Sequence, residues 1–240
     1  MQVYETDYKV KSYDVDLHKK MKLSRLFHLF QEAAYQHASI LNFGYQDLIK
    51  ENMFWVLARV KVNFERLPEW NENIKMKTWP KPARRLFAYR DFQIFDEKQN
   101  NIIQATSAWL VVNIDTKRPV RINRNLDYFK PKVKKNALDA ELKKIQIPDN
   151  IARVEQRKVK YSDLDLNNHV NNATYLDWLS DSLDIAYLRE HSIKNIAVNF
   201  QKETGLDDEI DIFTTSSKNR IYSLYQKDDQ DIFRARLELN

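Results

Sequence analysis

Apolar residues recur along residues 23–41, "LSRLFHLFQEAAYQHASIL", at the spacing of one helix face. Leu23, Leu26, Phe27, Phe30 and Ala34 follow each other by three or four and predict a long amphipathic helix. A second segment, "ATYLDWLSDSLDIAYL" at 173–188, places Tyr175, Trp178, Leu179, Ser182 and Ala186 comparably and predicts another. Elsewhere the pattern shortens to alternation in runs rich in branched and aromatic residues, at 58–79, 86–96, 102–115, 196–216 and 221–239. The polar stretches "EKQNN" and "KDDQ" read as the turns of two hairpins, so each half of the chain is strand, long helix, then antiparallel strands. That is an α+β arrangement.

The chain is written twice. "KVKSYDVDL" at 9–17 returns as "KVKYSDLDL" at 158–166: Lys9, Val10, Lys11, Asp14, Asp16 and Leu17 recur as Lys158, Val159, Lys160, Asp163, Asp165 and Leu166, an offset of 158 − 9 = 149. Further on, Val62-Asn63-Phe64 answers Val198-Asn199-Phe200, and Ile74 answers Ile210, at the smaller offset 198 − 62 = 136. The difference reflects a longer helix-to-strand connection around "NFGYQDLIKENMF" in the first copy. Three segments follow: a first repeat at 1–127, a linker at 128–150, and a second repeat at 151–240. The linker holds two prolines and a lysine cluster, Lys130, Lys132, Lys134, Lys135, Lys143 and Lys144, and reads as solvated chain with at most one short helix.

Composition narrows the chemistry. Cysteine is absent, which removes disulfides, a thiolate nucleophile and cysteine-based metal sites. Gly44 and Gly205 are the two glycines of the chain, too few for a phosphate-binding P-loop, a GxGxxG dinucleotide fingerprint or a GxSxG nucleophile elbow. No histidine has a partner at metal-ligand spacing such as H-E-x-x-H, so neither metal nor cofactor is expected. The start, "MQVYETDYKVKSYD", lacks the apolar core of a signal peptide and no run is long enough to span a membrane; a cytoplasmic, soluble chain is expected, with no membrane partner. A net charge of +5 suggests an acidic partner only weakly.

The densest polar stretch is "SDLDLNNHVNN" at 162–172, just before the second helix. Together with the helix start, "SDLDLNNHVNNATYLDWL" resembles the D-x-N-x-H-V-N-N-x-x-Y motif of acyl-acyl carrier protein thioesterases. "ATSAWLVVNIDTKRPVRI" (105–122) and "VNFQKETGLDDEI" (198–210) resemble further stretches of that family, so the likeness covers nearly the whole chain. It implies a tandem hotdog: two long helices, each wrapped by an antiparallel sheet, forming one continuous sheet. It further implies that the second hotdog carries catalysis and the first shapes the acyl-chain pocket.

By position, the resemblance puts catalytic roles on Asp165, Asn167 and His169, and on Glu203 as the strand glutamate. The next position, a cysteine in many plant members of the family, is Thr204 here, so a Cys-His-Asn mechanism cannot operate. Thioester hydrolysis needs an activated water and an oxyanion donor, while the thiolate leaves readily. Glu203, poised by burial, is expected to act as general base. His169 and Asn167 are expected to orient water and thioester, and Asp165 to hold them in place. Asn171 or Asn172 is expected to cap the helix, whose free N–H groups face the developing oxyanion. A Thr204 acyl-enzyme is the weaker route, its hydroxyl lacking activation.

The amino-terminal copy acts as a control: Asn167 and His169 fall on His18 and Lys20, and Glu203 on Leu67. Taken singly, His169 reads as a surface histidine and Glu203 as a solvent-facing strand residue; their joint match to the motif is what overturns that. Phe27, Phe30, Leu41, Phe43, Phe54 and Trp55 are core residues that can double as acyl-pocket lining. Arg84, Arg85, Lys117, Arg118 and Arg121 are candidates for docking an acidic carrier protein, the implied partner; nucleic acid is not expected, and the chain is expected as a monomer or a homodimer. An acyl-CoA thioesterase of the same fold, or a silent acyl-binding hotdog, are the alternatives.

Overall fold

The computed structural model describes residues 2–122, 133, 135–183 and 191–240. Contacts between Cα atoms divide the chain into two compact units, Met1–Met21 with His28–Leu142, and Lys22–Phe27 with Lys143–Asn240.

The first unit contains β1 (Tyr4–Lys9), α1 (Leu23–Ile40, its first turn grouped with the second unit), α2 (Tyr45–Lys50), β2 (Met53–Phe64), β3 (Asn73–Arg84), β4 (Phe87–Phe95) and β5 (Asn101–Asn113). Its strands lie in the order β1-β3-β4-β5-β2, every neighbouring pair antiparallel. Leu23, Leu26, Phe27, Phe30 and Ala34 are all buried, as the periodicity predicts, and Ala33, His37 and Ala38 widen that face. Phe30 packs on Phe92 of β4, ring centroids 4.6 Å apart, and His37 Nδ1 lies 3.0 Å from the buried Arg90 guanidinium. After α1 the chain turns through Gly44, where a Cβ would stand 2.9 Å from the Ser39 Cα, so glycine is required by close approach.

The second unit repeats the plan. Here β6 (Ala152–Lys158), α3 (Thr174–Asp181), β7 (Ile193–Phe200), β8 (Glu209–Ser217), β9 (Arg220–Lys227) and β10 (Gln230–Leu239) give the order β6-β8-β9-β10-β7, again antiparallel throughout. The order of β1, β3, β4, β5 and β2 is thereby reproduced element for element. Tyr175 and Trp178 of α3 pack against Phe200, Tyr225 and Phe233, one contiguous aromatic core. The predicted helix continues to 188; described helix ends at Asp181, and Ala186 lies outside the described residues.

Three boundaries differ from the sequence reading. The run 58–79 is two strands, because residues 65–72 hold Pro68, which cannot donate to a ladder, and Asn71 at φ 70°. The run 196–216 divides likewise at 201–208, where Asp207 sits at φ 66°. Strand β2 begins at Met53, inside what the sequence reads as connection, and α2 forms within the same connection.

The described part of the linker is not free solvated chain. Trp79 Nε1 donates to the Lys135 carbonyl at 3.0 Å, the Ala137 N–H donates to Asp91 Oδ2 at 2.7 Å, and Arg59 donates to the Leu142 carbonyl at 2.6 Å. In the second unit the Ile145 N–H donates to Asn199 Oδ1 at 2.7 Å, and Arg234 donates to the Ile145 carbonyl at 2.6 Å. Trp79, Asp91 and Asn199 are buried, so the linker is a strap tied down by its own backbone. Lys130, Lys132 and Lys134 lie outside the described residues; Lys143 and Lys144 are exposed. Among the described residues, no helix is long and apolar enough to cross a membrane.

Candidate active site

The two copies share one backbone frame, and it explains why each repeat keeps its aspartates. Asp165 Oδ1 accepts the N–H groups of Asn167 at 2.8 Å and His169 at 3.3 Å, while the Asp165 N–H donates to the His169 carbonyl at 2.8 Å. In the first copy Asp16 Oδ1 accepts from His18 and Lys20 at 2.8 and 3.0 Å, and its N–H donates to the Lys20 carbonyl at 2.8 Å. Asn168 at φ 63° and Lys19 at φ 61° occupy the same left-handed position. An asparagine tolerates that region more readily than a lysine.

The frame extends to the connection facing each turn. Val170 N–H donates to the Thr204 carbonyl at 2.8 Å, and Met21 N–H to the Pro68 carbonyl at 2.8 Å. Asp208 Oδ2 accepts the Gly205 N–H at 2.9 Å, and Glu72 Oε2 the Glu69 N–H at 2.9 Å. Each of these last two carboxylates also holds a cation, Lys227 at 2.6 Å from Asp208 and Arg66 at 2.6 Å from Glu72. Burial opposes ionisation of both acids, but the cation and the backbone N–H outweigh it and hold both below the usual carboxylate range.

On this shared frame the second copy alone places an imidazole against a carboxylate. His169 Nε2 stands 3.3 Å from Glu203 Oε2, with side chains 30% and 36% exposed. Glu203 therefore differs from expectation in two ways. It lies in the β7–β8 connection rather than on a strand, and it is not buried: ladder pairing with β10 stops at Phe200, and in the connection that follows Glu203 is exposed while its neighbour Thr204 is buried. Asn167 is exposed, and its carboxamide makes no hydrogen bond among the described residues, which leaves it open to a ligand. Among the described hydrogen bonds, the Asp165 carboxylate meets this turn through the backbone N–H groups of Asn167 and His169.

The helix start is also different. Ala173, not Asn171 or Asn172, is the N-cap of α3 and makes no side-chain cap. Asn171 Oδ1 accepts the Ala173 N–H at 2.9 Å, and its carbonyl accepts the Thr174 N–H at 2.9 Å. Both N–H groups are thus committed within the protein, which removes them as oxyanion donors; Asn172 is half-buried with no such bond described. Thr204 is 2% exposed, and its Oγ1 meets the Tyr175 hydroxyl at 2.5 Å. Burial pushes the Tyr175 phenol well above its ordinary value, so Tyr175 supplies no base, and Thr204 is not placed as a nucleophile.

Tyr175 is the site residue that sequence reasoning filed as helix core. The available signal was a tyrosine on a buried face, whose hydroxyl has to find a partner. Among the docking candidates, Arg84 ends β3, Arg85 follows it in the β3–β4 turn, and Lys117, Arg118 and Arg121 lie beyond β5, all exposed. Of the pocket candidates, Phe43 and Trp55 meet edge-on at 5.7 Å and join Trp109, Ala83, Ala88 and Ile122 in one apolar cluster of the first unit. Phe27, Phe30 and Phe54 are buried and Leu41 half-buried. No group of three metal-ligating side chains occurs among the described residues.

Two repeats of helix and antiparallel sheet, one carrying a His–Glu pair, define a tandem hotdog protein. The chain belongs to the acyl-ACP thioesterase family: the model of the family's N-terminal domain matches residues 1–128 and that of its C-terminal domain residues 146–239. An oleoyl-acyl carrier protein thioesterase of Arabidopsis thaliana is 30% identical over 230 residues, 89% of this chain and 63% of the relative. A palmitoyl-acyl carrier protein thioesterase of Gossypium hirsutum is 25% identical over 228 residues, 90% of this chain and 55% of the relative. Both relatives are chloroplastic, and this chain spans less than two thirds of their length. The crystal structure of an acyl-ACP thioesterase from Bacteroides thetaiotaomicron superposes with a TM-score of 0.93 at 23% identity, over 99% of this chain and 98% of that one. The 12:0-ACP thioesterase from Umbellularia californica gives 0.89 at 24%, over 99% and 97%; both establish the fold.

Proposed function

We propose that the protein hydrolyses the thioester of fatty acyl-acyl carrier protein to a free fatty acid and the carrier thiol. The observation that carries this reading is the His169–Glu203 pair, present on one of two otherwise matching frames. In the reaction, Glu203 takes a proton from a water whose oxygen attacks the thioester carbonyl carbon. The Asn167 carboxamide donates to the carbonyl oxygen as negative charge develops there. The C–S bond then breaks, and the proton held by Glu203 passes to the departing thiolate. His169, donating Nε2–H to Glu203, fixes the carboxylate toward the water, and Asp165 fixes the backbone of Asn167 and His169.

The first repeat binds the acyl chain, the exposed Arg84, Arg85, Lys117, Arg118 and Arg121 receive the acidic carrier, and the protein works in the cytoplasm, as a homodimer. The test is a hydrolysis panel of matched acyl chains on carrier protein and on CoA. Faster turnover on the carrier is expected, and preference for CoA would identify an acyl-CoA thioesterase instead. Glu203→Ala and His169→Ala should each lower kcat by about a hundredfold with little change in KM. Near-normal kcat in Glu203→Ala would sink the general-base assignment.

A further inference from the structure

We propose that the buried Thr204–Tyr175 hydroxyl pair is a positioning unit that sets the separation of His169 and Glu203. The proposal rests on the reading of His169 and Glu203 as reacting groups. Thr204 is held at two points. Its carbonyl accepts the N–H of Val170, the residue after His169, and its Oγ1 meets the Tyr175 hydroxyl at 2.5 Å. Thr204 is itself the residue after Glu203, so one buried residue fixes the backbone next to both halves of the pair. Being β-branched, it also has few side-chain rotamers through which to transmit slack.

The other end of the tether is rigid. The Tyr175 ring stacks on Phe233 at 5.2 Å and 14°, and meets Trp178 and Phe200 edge-on at 5.2 and 5.9 Å. The Tyr225 hydroxyl lies 3.4 Å from the Tyr175 carbonyl. Glu203, by contrast, is more than a third exposed in a connection outside any ladder, where an untethered carboxylate samples many rotamers. Burial keeps the Tyr175 phenol protonated, so the tether adds no charge beside Glu203.

The repeat supplies the control that separates positioning from folding. In the first copy Thr204 corresponds to Pro68 and Tyr175 to Leu26, at the two offsets that align the repeats. Pro68 accepts the Met21 N–H at 2.8 Å, the same distance as at Thr204, so that turn forms with no hydroxyl pair at all. The pair occurs on the copy that bears His169 and Glu203, and the copy with Lys20 and Leu67 dispenses with it.

The experiment compares Thr204→Val, which keeps shape and removes the hydroxyl, with Tyr175→Phe, the double variant and Thr204→Ser, all in the full chain. Each single variant is expected to lower kcat about tenfold with KM within about twofold, and to displace the pH dependence of kcat. The double should be no slower than the singles, and Thr204→Ser should regain most of the rate. Wild-type kcat and an unmoved pH profile in folded Thr204→Val and Tyr175→Phe, whatever their thermal midpoints, would overturn the proposal. Multiplying losses in the double would do the same. Glu203→Gln and His169→Ala, assayed in parallel, separate the two levels. If they lose activity while Thr204→Val does not, positioning alone fails; if they keep it, the catalytic reading fails first.

Discussion

Removing the same carboxylate from both copies of the frame separates what the aspartate does for folding from what it does for reaction. Asp16 and Asp165 each accept two backbone N–H bonds on one oxygen, at 2.8 and 3.0 Å and at 2.8 and 3.3 Å. Hydrogen bonds to a charged acceptor contribute about 1.5–3 kcal/mol when buried, but both aspartates are half-exposed and water competes, as at a helix N-cap. Each loop also holds a non-glycine residue at positive φ, Lys19 or Asn168, which the paired bonds keep in place. Asp16→Ala and Asp165→Ala are therefore each expected to cost about 1–2 kcal/mol, and the Asn variants about half of that, since an amide oxygen still accepts without the charge. Urea unfolding measures this as a lowered midpoint at unchanged slope. Steady-state kinetics should then divide the pair. Asp16→Ala is expected to keep kcat within about twofold, whereas Asp165→Ala loosens the backbone that carries Asn167 and His169 and should lower kcat by about ten- to a hundredfold. Equal kcat losses in the two variants, or none in Asp165→Ala, would refute the division of labour between the copies.

Asp208 is held below its ordinary 3.8 despite burial, by Lys227 and the Gly205 N–H, so its contribution to stability is complete above that value and is lost as pH falls through the lower, folded pKa. The stability lead of wild type over Asp208→Asn, followed by urea unfolding, should therefore be constant at neutral pH and close in that acidic window; a lead that widens on acidification contradicts it. Asn199→Ala strips the Ile145 N–H of a buried acceptor and releases the strap, at a cost of about 1–3 kcal/mol. Trypsin should then cut after Lys143 or Lys144 sooner than in wild type, and an unchanged cleavage rate would mean that the strap is held elsewhere. Reversing charge at Arg84, Arg85, Lys117 and Arg118 should lower kcat/KM for carrier-bound substrate, steeply at low salt, while CoA thioesters of the same chain length are turned over as before. Parallel losses on both carriers would remove these residues from docking.

Features that depend on local periodicity were open to reading from the sequence. The buried face of α1 appears in the spacing of Leu23, Leu26, Phe27, Phe30 and Ala34, and the duplication appears in "KVKSYDVDL" and "KVKYSDLDL" before any contact is known. The turn at Asp165 was legible for a related reason: its hydrogen bonds span residues two and four apart. Features made by distant partners were not. Asp91, Asn199, Arg59 and Arg234 carry no mark of being anchors, because what they hold is the backbone of residues 137–145, which any side-chain sequence supplies. The resemblance of "VNFQKETGLDDEI" to a strand of the family puts Glu203 on a strand, whereas the polar "QKET" marks the exit from the ladder. Tyr175 and Thr204 each looked complete alone, one as core and one as a vacant nucleophile position; their contact unites the two readings.

On the proposed function, the matched frames also say how few positions of this chain distinguish the reacting half from the other. Backbone bonds at 2.8 Å close the turn whether it presents Lys20 or His169, and hold the facing connection whether it presents Leu67 and Pro68 or Glu203 and Thr204. The scaffold is indifferent to its cargo: two different sets of side chains sit on the same backbone bonds without disturbing the fold. The same indifference makes the amino-terminal turn a ready socket for engineering, in which Asn, His, Tyr, Glu and Thr at 18, 20, 26, 67 and 68 restate the proposed reactive face on a backbone already shaped to hold it.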